Sequence, residues 1–235
     1  MKLKETDVQK LEEFLDKIAG DIYPEPPSEP HVSITDQMID FLADKYLAPH
    51  SRILDIGCGQ GQALLRFASK GHSPLGINLN QVDLATCRQK GLDVLEMDES
   101  FLDLPDEEFD LVWCRHCLEH SVFPYFTLDG FYRVLKSQGH LYVEVPAPDT
   151  SSRHQTNRNH YSVLGKSMWL DLMARIGFTL AEQLDLTFTI PAGPDMYWAF
   201  ILQKPANRPQ LDPGDTREAD LTLGLAGAVS TSDSN

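Results

Sequence analysis

The stretch Ile53-Leu54-Asp55-Ile56-Gly57-Cys58-Gly59-Gln60-Gly61 predicts a buried strand that runs through a glycine-rich turn into a helix. Glycine lets the main chain of such a turn come close to a ligand, because no side chain stands in the way. Asp55 lies near the end of the strand and adds an acidic group to the turn. This combination predicts a nucleotide-like cofactor at the first strand-to-helix crossing of an α/β sheet.

Length and composition are typical of one globular α/β domain with short extensions. The chain has 235 residues, of which 42% are hydrophobic and 23% are charged. A net charge of −15 disfavours nucleic acids and anionic lipids as partners and favours neutral or cationic small molecules. No apolar run is long enough to cross a bilayer, and Met1–Glu5 lacks the apolar stretch of a secretory signal. We therefore expect a cytoplasmic protein with reduced cysteines.

Three segments are expected along the chain. Residues 1–33 predict an N-terminal helix over 8–19, ended by Gly20, and a proline-rich connector that includes Pro24. Residues 34–204 predict the main domain, which opens with a second helix over 35–47. Residues 205–235 are rich in proline, small and acidic residues and predict a flexible tail.

Alternating strand and helix patterns in the main domain predict a parallel sheet whose last two strands form an antiparallel hairpin. Strands are expected at 52–56, 73–77, 93–97, 109–114 and 140–145, and helices at 61–70, 81–90, 125–135 and 164–176. Residues 136–139 predict a turn before the fifth strand. Segments 184–190 and 197–202 have no helix between them, so they predict an antiparallel hairpin with its turn at Pro191, Gly193 and Pro194.

The details of the glycine turn count against a nicotinamide-binding domain. Such a domain requires Gly-x-Gly-x-x-Gly and an acidic residue on the second strand. Here Gly57, Gly59 and Gly61 have one spacer fewer, and the second strand ends in Asn78. The terminal hairpin is a third departure from that fold.

A series of further motifs follows the glycine turn in fixed order: Asp98 after the third strand, Leu104-Pro105, Phe109–Val112 and Tyr132–His140. The series resembles the class I S-adenosylmethionine-dependent methyltransferases of the broad small-molecule type, over about residues 35–203. The resemblance implies a Rossmann-like, seven-stranded sheet of order 3-2-1-4-5-7-6 with strand 7 antiparallel and helices on both faces.

The resemblance also implies methyl transfer from S-adenosyl-L-methionine to a small-molecule acceptor, at oxygen or nitrogen. Two alternatives stay open. One is a nicotinamide-dependent oxidoreductase on a similar sheet, and the other is a non-catalytic S-adenosylmethionine-binding module.

Residue roles on the methionine side follow from the resemblance. Gly57, Gly59 and Gly61 would let the turn approach the methionine part of the cofactor. Asp55 would meet the ammonium group of that cofactor. Cys114, with Arg115, would lie beside the methyl group at the end of the fourth strand.

The resemblance assigns the adenosine side to the next two strands. Asn78 would bind the ribose hydroxyls, with an amide in place of the usual carboxylate. Leu79 would pack on the adenine face, and Asp98 would accept a hydrogen bond from the adenine amino group. Met97 and Glu99 would flank the ring.

Methyl transfer needs a base only if the acceptor loses a proton near the transition state. His120 is the first choice, because a neutral imidazole removes protons near neutral pH. His116 and His160 are further candidates. The polar segment 149–161 follows the fifth strand and is expected over the acceptor site, where Arg153, Arg158 and His160 would recognise an anionic or hydroxyl-rich group. The alternative is that this segment is a solvated surface loop.

The run from His116 to His120 also fits His-x-x-Glu-His, an inverted zinc-protease motif. That motif needs a helix and a third ligand, whereas this run follows a strand and leads towards Pro124. Cys114-x-x-Cys117 lacks a partner pair of cysteines. We therefore predict no metal ligands.

Overall fold

A computed structural model of the chain describes residues 2–18, 26–27 and 29–207. The described helices are α1 (Glu5–Ile18), α2 (His31–Tyr46), α3 (Gln62–Ser69), α4 (Gln81–Gln89), α5 (Pro124–Val134) and α6 (Lys166–Ile176). The strands are β1 (Arg52–Ile56), β2 (Ser73–Asn78), β3 (Val94–Glu96), β4 (Phe109–Arg115), β5 (Leu135–Pro146), β6 (Thr179–Ile190) and β7 (Gly193–Gln203). None of the helices in these ranges is long and apolar enough to cross a membrane.

The seven strands form one sheet in the order β3-β2-β1-β4-β5-β7-β6. Strand β1 pairs in parallel with β2 on one side and β4 on the other. Strand β7 is antiparallel to both β5 and β6. The predicted strand order and hairpin are therefore confirmed. The chain reverses its direction of winding between β1 and β4, which is where α/β sheets bind their ligands.

Strand β1 forms where it was predicted because its residues suit the centre of a parallel sheet. Ile53, Leu54 and Ile56 are almost completely buried, as expected for a strand with helices on both faces. Helices α5 and α6 cover one face through Phe131 and Trp169. Helices α2 and α3 cover the other face, where their apolar side chains pack with Trp113 and Tyr142.

The largest differences from the predicted elements lie in β5 and the hairpin. Residues 136–139 were expected to form a turn outside the sheet, but β5 includes them, and its pairing shifts from Phe109↔Leu135 to Leu111↔His140. This bulge is compatible with the positive φ of Gln138, +66°. Strand β6 begins earlier than predicted, at Thr179. Strand β7 also begins earlier, at Gly193, so Gly193 and Pro194 belong to β7 and not to the turn.

The segments before and after the domain are only partly described. Helix α1 begins earlier than predicted, and Gly20 and Pro24 lie outside the described residues. Helix α2 begins at His31, within the segment predicted as connector, and its Met38 and Ile39 belong to the core. Of the predicted tail, residues 208–235 lie outside the described range.

Gly76 in β2 allows the glycine turn to pack on the sheet. A Cβ at this position would lie 2.8 Å from Cys58 Sγ and 2.9 Å from Cys58 Cβ. We expect Gly76→Ala to lower the free energy of unfolding by about 1–3 kcal/mol, because a packed interior does not accept an extra methyl group. Urea denaturation measures this change.

Gly130→Ala is the matched control, since it adds the same methyl group inside helix α5. The added Cβ would meet only Leu102 Cδ1, at 3.8 Å. Its expected effect has the opposite sign, a gain of about 0.5–1 kcal/mol from helix propensity. Equal stability of the two variants would contradict the packing role of Gly76.

Candidate functional site

A cavity of about 430 Å³ opens at the carboxyl ends of β1, β2 and β4. Helix α1 covers part of it through Leu15, Asp16 and Ile18, and the segments after β3, β4 and β5 complete its wall. Seven of the predicted cofactor residues line this cavity: Gly57, Gly59, Asn78, Leu79, Met97, Asp98 and Glu99. Predicted acceptor-side residues in the same wall are His116 and His120.

The glycine turn reaches the cavity through a backbone conformation that side chains disfavour. Gly57 has φ +64°, and a Cβ there would lie 2.1 Å from Cys117 Sγ. The main chain at 57 and 59 therefore forms part of the cavity wall directly. Gly61 does not line the cavity. It precedes α3 with φ +86° and packs against Leu92 and Cys87.

Asp55 lies beneath the cavity and does not line it. It is 2% exposed, and its Oδ2 has no hydrogen-bond partner among the described residues. Burial raises the pKa of this carboxyl well above its usual value. A buried oxygen without a partner beside a glycine turn suits a ligand that brings a hydrogen-bond donor or a positive charge.

The ends of β2 and β3 contribute the other polar groups of the donor side. Asn78 Oδ1 accepts a hydrogen bond from the Asn80 main-chain N–H at 2.9 Å, so its amide N–H₂ is the group left to donate. Asp98 Oδ1 accepts from the Ser100 main-chain N–H at 2.7 Å. Burial raises the pKa of Glu99, and the neighbouring Asp98 raises it further.

Cys114 does not reach the cavity, contrary to its predicted place beside the methyl group. It is 1% exposed and belongs to the core on the α5–α6 face of the sheet. Strand β4 continues to Arg115, so Cys114 lies within the strand and not beyond its end. Side chains alternate between the two faces of a sheet, and that of Cys114 packs on the α5–α6 face. Cys117 lines the cavity instead, and its thiol donates to the Ile56 carbonyl at 3.1 Å.

A buried ion network supports the acceptor side. Glu144 is fully buried and binds Arg115 Nη2 at 2.9 Å, His116 Nε2 at 2.8 Å and the Tyr142 hydroxyl at 2.6 Å. Burial alone would raise the pKa of Glu144, but Arg115 and these hydrogen bonds outweigh burial and hold it well below its usual value. Burial lowers the pKa of His116, and Arg115 lowers it further. His116 is therefore neutral at physiological pH.

Aromatic rings from distant parts of the chain extend this network. The His116 ring stacks on Tyr197 with centroids 4.2 Å apart, and His31 meets both rings edge-on. His154 packs against Tyr197 and places Nε2 3.1 Å from Asp195. His31, Tyr197 and Asp195 had no predictive signal in the sequence, because α2 and β7 bring them here.

The loop after β5 lies against the cavity, as predicted for segment 149–161. Asn159 and Tyr161 line the wall, and the Asn159 carbonyl accepts from His120 Nδ1 at 2.8 Å. The His160 ring lies 4.8 Å from that of His120. Arg153 and Arg158 are exposed and absent from the wall, so the structure does not support their predicted role in acceptor recognition.

A family model described as a methyltransferase domain matches residues 54–143, from the glycine turn to the middle of β5. Over these residues the chain is similar to the methyltransferase-domain family, and a solved S-adenosylmethionine-dependent methyltransferase shares its fold. The similarity predicted from the sequence motifs is thus confirmed.

Two curated methyltransferases are similar in sequence to this chain. The ubiquinone biosynthesis O-methyltransferase of Hahella chejuensis is 26% identical over 147 residues, which cover 60% of this chain and 62% of the relative. The glycine/sarcosine/dimethylglycine N-methyltransferase of Actinopolyspora halophila is 29% identical over 181 residues, which cover 70% of this chain and 32% of the relative. The matched region therefore spans less than two thirds of either relative.

A solved methyltransferase has the same fold as this chain. The S-adenosylmethionine-dependent methyltransferase from Methanosarcina mazei superposes with a TM-score of 0.62 at 18% identity, covering 71% of this chain and 98% of the other. At 18% identity, this similarity shows a shared fold and nothing about a shared substrate.

The neutral state of His116 predicts a pH dependence of the stability of this protein. Below the ordinary histidine pKa of 6.5 the unfolded chain takes up a proton at His116 while the folded chain does not. Stability from this group is therefore present above that pH and is lost as the pH falls below it. We expect His116→Asn to reduce the loss of stability between about pH 7.5 and about pH 5.5, measured by urea denaturation.

Asparagine suits this test because His116 has φ +55°, a conformation that asparagine tolerates. His50→Asn is the matched control, since His50 also has a positive φ, +61°, but is exposed. The control should follow the wild-type pH dependence. A His116→Asn curve parallel to that of the wild type would contradict the buried neutral state.

Proposed function

We propose that this chain transfers the methyl group of S-adenosylmethionine to an oxygen or nitrogen of a small-molecule acceptor. One observation carries the proposal: polar groups at the ends of consecutive strands and a glycine turn line the same cavity as His116 and His120. A donor site and a polar acceptor site thus share one wall. The match to a methyltransferase domain and the named activities of the relatives support this function.

The residues of the donor side fit the cofactor. Bound S-adenosylmethionine supplies a methyl group already activated by a positively charged sulfur. Asp55, whose unpartnered Oδ2 lies beneath the glycine turn, would meet the ammonium group directly or through a water molecule. Asn78 donates to a ribose hydroxyl, and Asp98 accepts from the adenine amino group. Leu79 and Met97 pack against the adenine.

On the acceptor side the protein orients the nucleophile and excludes water. Because the donor is already activated, alignment supplies much of the rate enhancement. The Glu144–Arg115 pair fixes His116 in the wall, and Asn159 fixes the ring of His120. Helix α1 and the loop after β5 cover the cavity and limit access of water.

A nicotinamide-dependent oxidoreductase fits the structure less well. Its dinucleotide fold lacks an antiparallel seventh strand between β5 and β6, and its second strand ends in an acid in place of Asn78. Calorimetric titration with S-adenosylmethionine and with a dinucleotide distinguishes the two functions.

We expect calorimetric titration to show binding of S-adenosylmethionine and of its demethylated product, with no binding of a dinucleotide. Asp98→Asn should weaken both affinities by about tenfold or more. The variant keeps the acceptor for the Ser100 N–H but presents a donor to the adenine amino group. Asp103→Asn, an exposed acid in the same segment, should bind as the wild type does. Dinucleotide binding alone would overturn the proposal.

Turnover tests the catalytic part of the proposal. We expect incubation with S-adenosylmethionine and a panel of phenols, catechols, alcohols and amines to yield a singly methylated product and equimolar demethylated cofactor, detected by mass spectrometry. At a subsaturating donor concentration, Asp98→Asn should slow turnover in proportion to its lost affinity. Cofactor binding without turnover of any acceptor would favour the non-catalytic binding module.

A further inference from the structure

Three side chains of the types that can bind metal ions meet where His120 lines the cavity. One ligand atom each from Glu119, His120 and His160 lies within 4.8 Å of the other two. Glu119 and His120 belong to a short 3-10 helix, Leu118–His120, that follows β4. His160 belongs to the loop that follows β5. The cluster exists because β4 and β5 are neighbours, so their loops leave the sheet side by side.

The His120 imidazole is held in the way that metal-binding histidines are held. His120 Nδ1 lies 2.8 Å from the Asn159 carbonyl, which can only accept, so Nδ1 carries the proton and Nε2 keeps its lone pair. Such a hydrogen bond from the second nitrogen to a carbonyl fixes the ring of a metal ligand. His160 Nδ1 is buried and has no hydrogen-bond partner within the described part of the chain.

The acidic member of the cluster is also withdrawn from water. Glu119 is 1% exposed, and a buried carboxylate is favourable when it is paired with a cation or coordinates a metal. Ligand atoms around one zinc ion lie about 3.4 Å apart, and these three atoms lie within 4.8 Å of one another. Two imidazoles and one carboxylate are a ligand set for Zn²⁺ and other divalent transition metals, with positions left open for a substrate.

We propose that Glu119, His120 and His160 bind one divalent transition-metal ion, which in turn binds the oxygen of the methyl acceptor. This proposal rests on the proposed methyl transfer and narrows it to oxygen. His120 lines the donor cavity, so the open positions of the ion lie beside the methyl donor. An acceptor with two adjacent oxygen atoms, such as a catechol or a hydroxycarboxylate, would bind through both.

The bound ion would promote loss of the acceptor proton, the role that the sequence analysis gave to His120 as a base. A metal ion lowers the pKa of a bound hydroxyl, so the acceptor proton passes to solvent near neutral pH. The acceptor oxygen then forms a bond to the methyl carbon, and the carbon–sulfur bond breaks with its electron pair remaining on sulfur. His120 is therefore a metal ligand and not a general base.

This site differs from the zinc motif considered in the sequence. That motif requires His116 and His120 on one helix. In the structure His116 binds Glu144, and the third ligand, His160, comes from another loop. The prediction of no metal ligands rested on the missing helix and missing third ligand, and only the packing of two loops supplies the latter.

Metal binding by the full chain tests the proposal without measuring activity. After treatment with a chelator and its removal, titration with Zn²⁺ in a calorimeter should show one ion bound per chain. Co²⁺ should give a visible absorption band that Zn²⁺ abolishes by displacing it. His160→Gln and Glu119→Gln should each weaken Zn²⁺ binding by about tenfold or more.

His116→Asn and His50→Asn are the matched controls. His116 belongs to the same sequence motif but not to the cluster, so its variant should bind Zn²⁺ as the wild type does. If Glu119→Gln fails to fold, His160→Gln decides, since its side chain lies in a loop and is partly exposed. Wild-type Zn²⁺ affinity in His160→Gln, or loss of binding in both controls, would overturn the assignment.

Two further measurements separate this proposal from the proposed function. S-adenosylmethionine should bind equally well with and without the chelator, whereas O-methylation of a catechol should stop with the chelator and return with added Zn²⁺ or Mn²⁺. Methylation that continues at full rate in the chelator overturns the metal site and leaves methyl transfer standing. Absence of S-adenosylmethionine binding overturns the function itself, whatever the result with Zn²⁺.

Discussion

Gly57 is the point at which the two sides of the site meet. Its φ of +64° turns the main chain at the end of β1, and Cys117 Sγ occupies the space that a Cβ would need. A side chain at position 57 would push the segment after β4 away from the turn. The donor cavity would then separate from His116 and His120. The close approach of these two segments is therefore the constraint on which the shared wall depends.

The electrostatics of the two sides differ in kind. On the donor side, burial raises the pKa values of Asp55 and Glu99, so a cationic ligand is what would favour their ionised forms. On the acceptor side, Arg115 already compensates the charge of Glu144, and this pair leaves His116 neutral. Among the described residues, no cation compensates the burial of Asp55 and Glu99, whereas Arg115 compensates Glu144. This division suits a positively charged donor.

Sequence patterns predicted the strands and strand ends that form the site better than they predicted its side-chain contacts. The bounds of β1 were predicted correctly, since a short apolar run followed by glycines has few alternatives. Asn78 and Asp98 line the cavity as expected because both follow parallel strands that end at one edge. Cys114 was misplaced, since the strand alternation extends one residue further than its pattern indicated. The bulge at residues 136–139 was missed, because the sheet absorbed residues with a local turn preference.

By itself, the sequence determined the glycine turn, the order of the motifs and the polar groups at the strand ends. These features depend on the local conformational freedom of glycine and on the periodicity of short segments. Only the tertiary structure decided that His31 and Tyr197 surround His116, and that Glu119, His120 and His160 converge. Such contacts join loops far apart in the chain, and their distances depend on which strands are neighbours in the sheet. The motif series implied that strand order, but the contacts between the loops depend on tertiary packing, which no local pattern encodes.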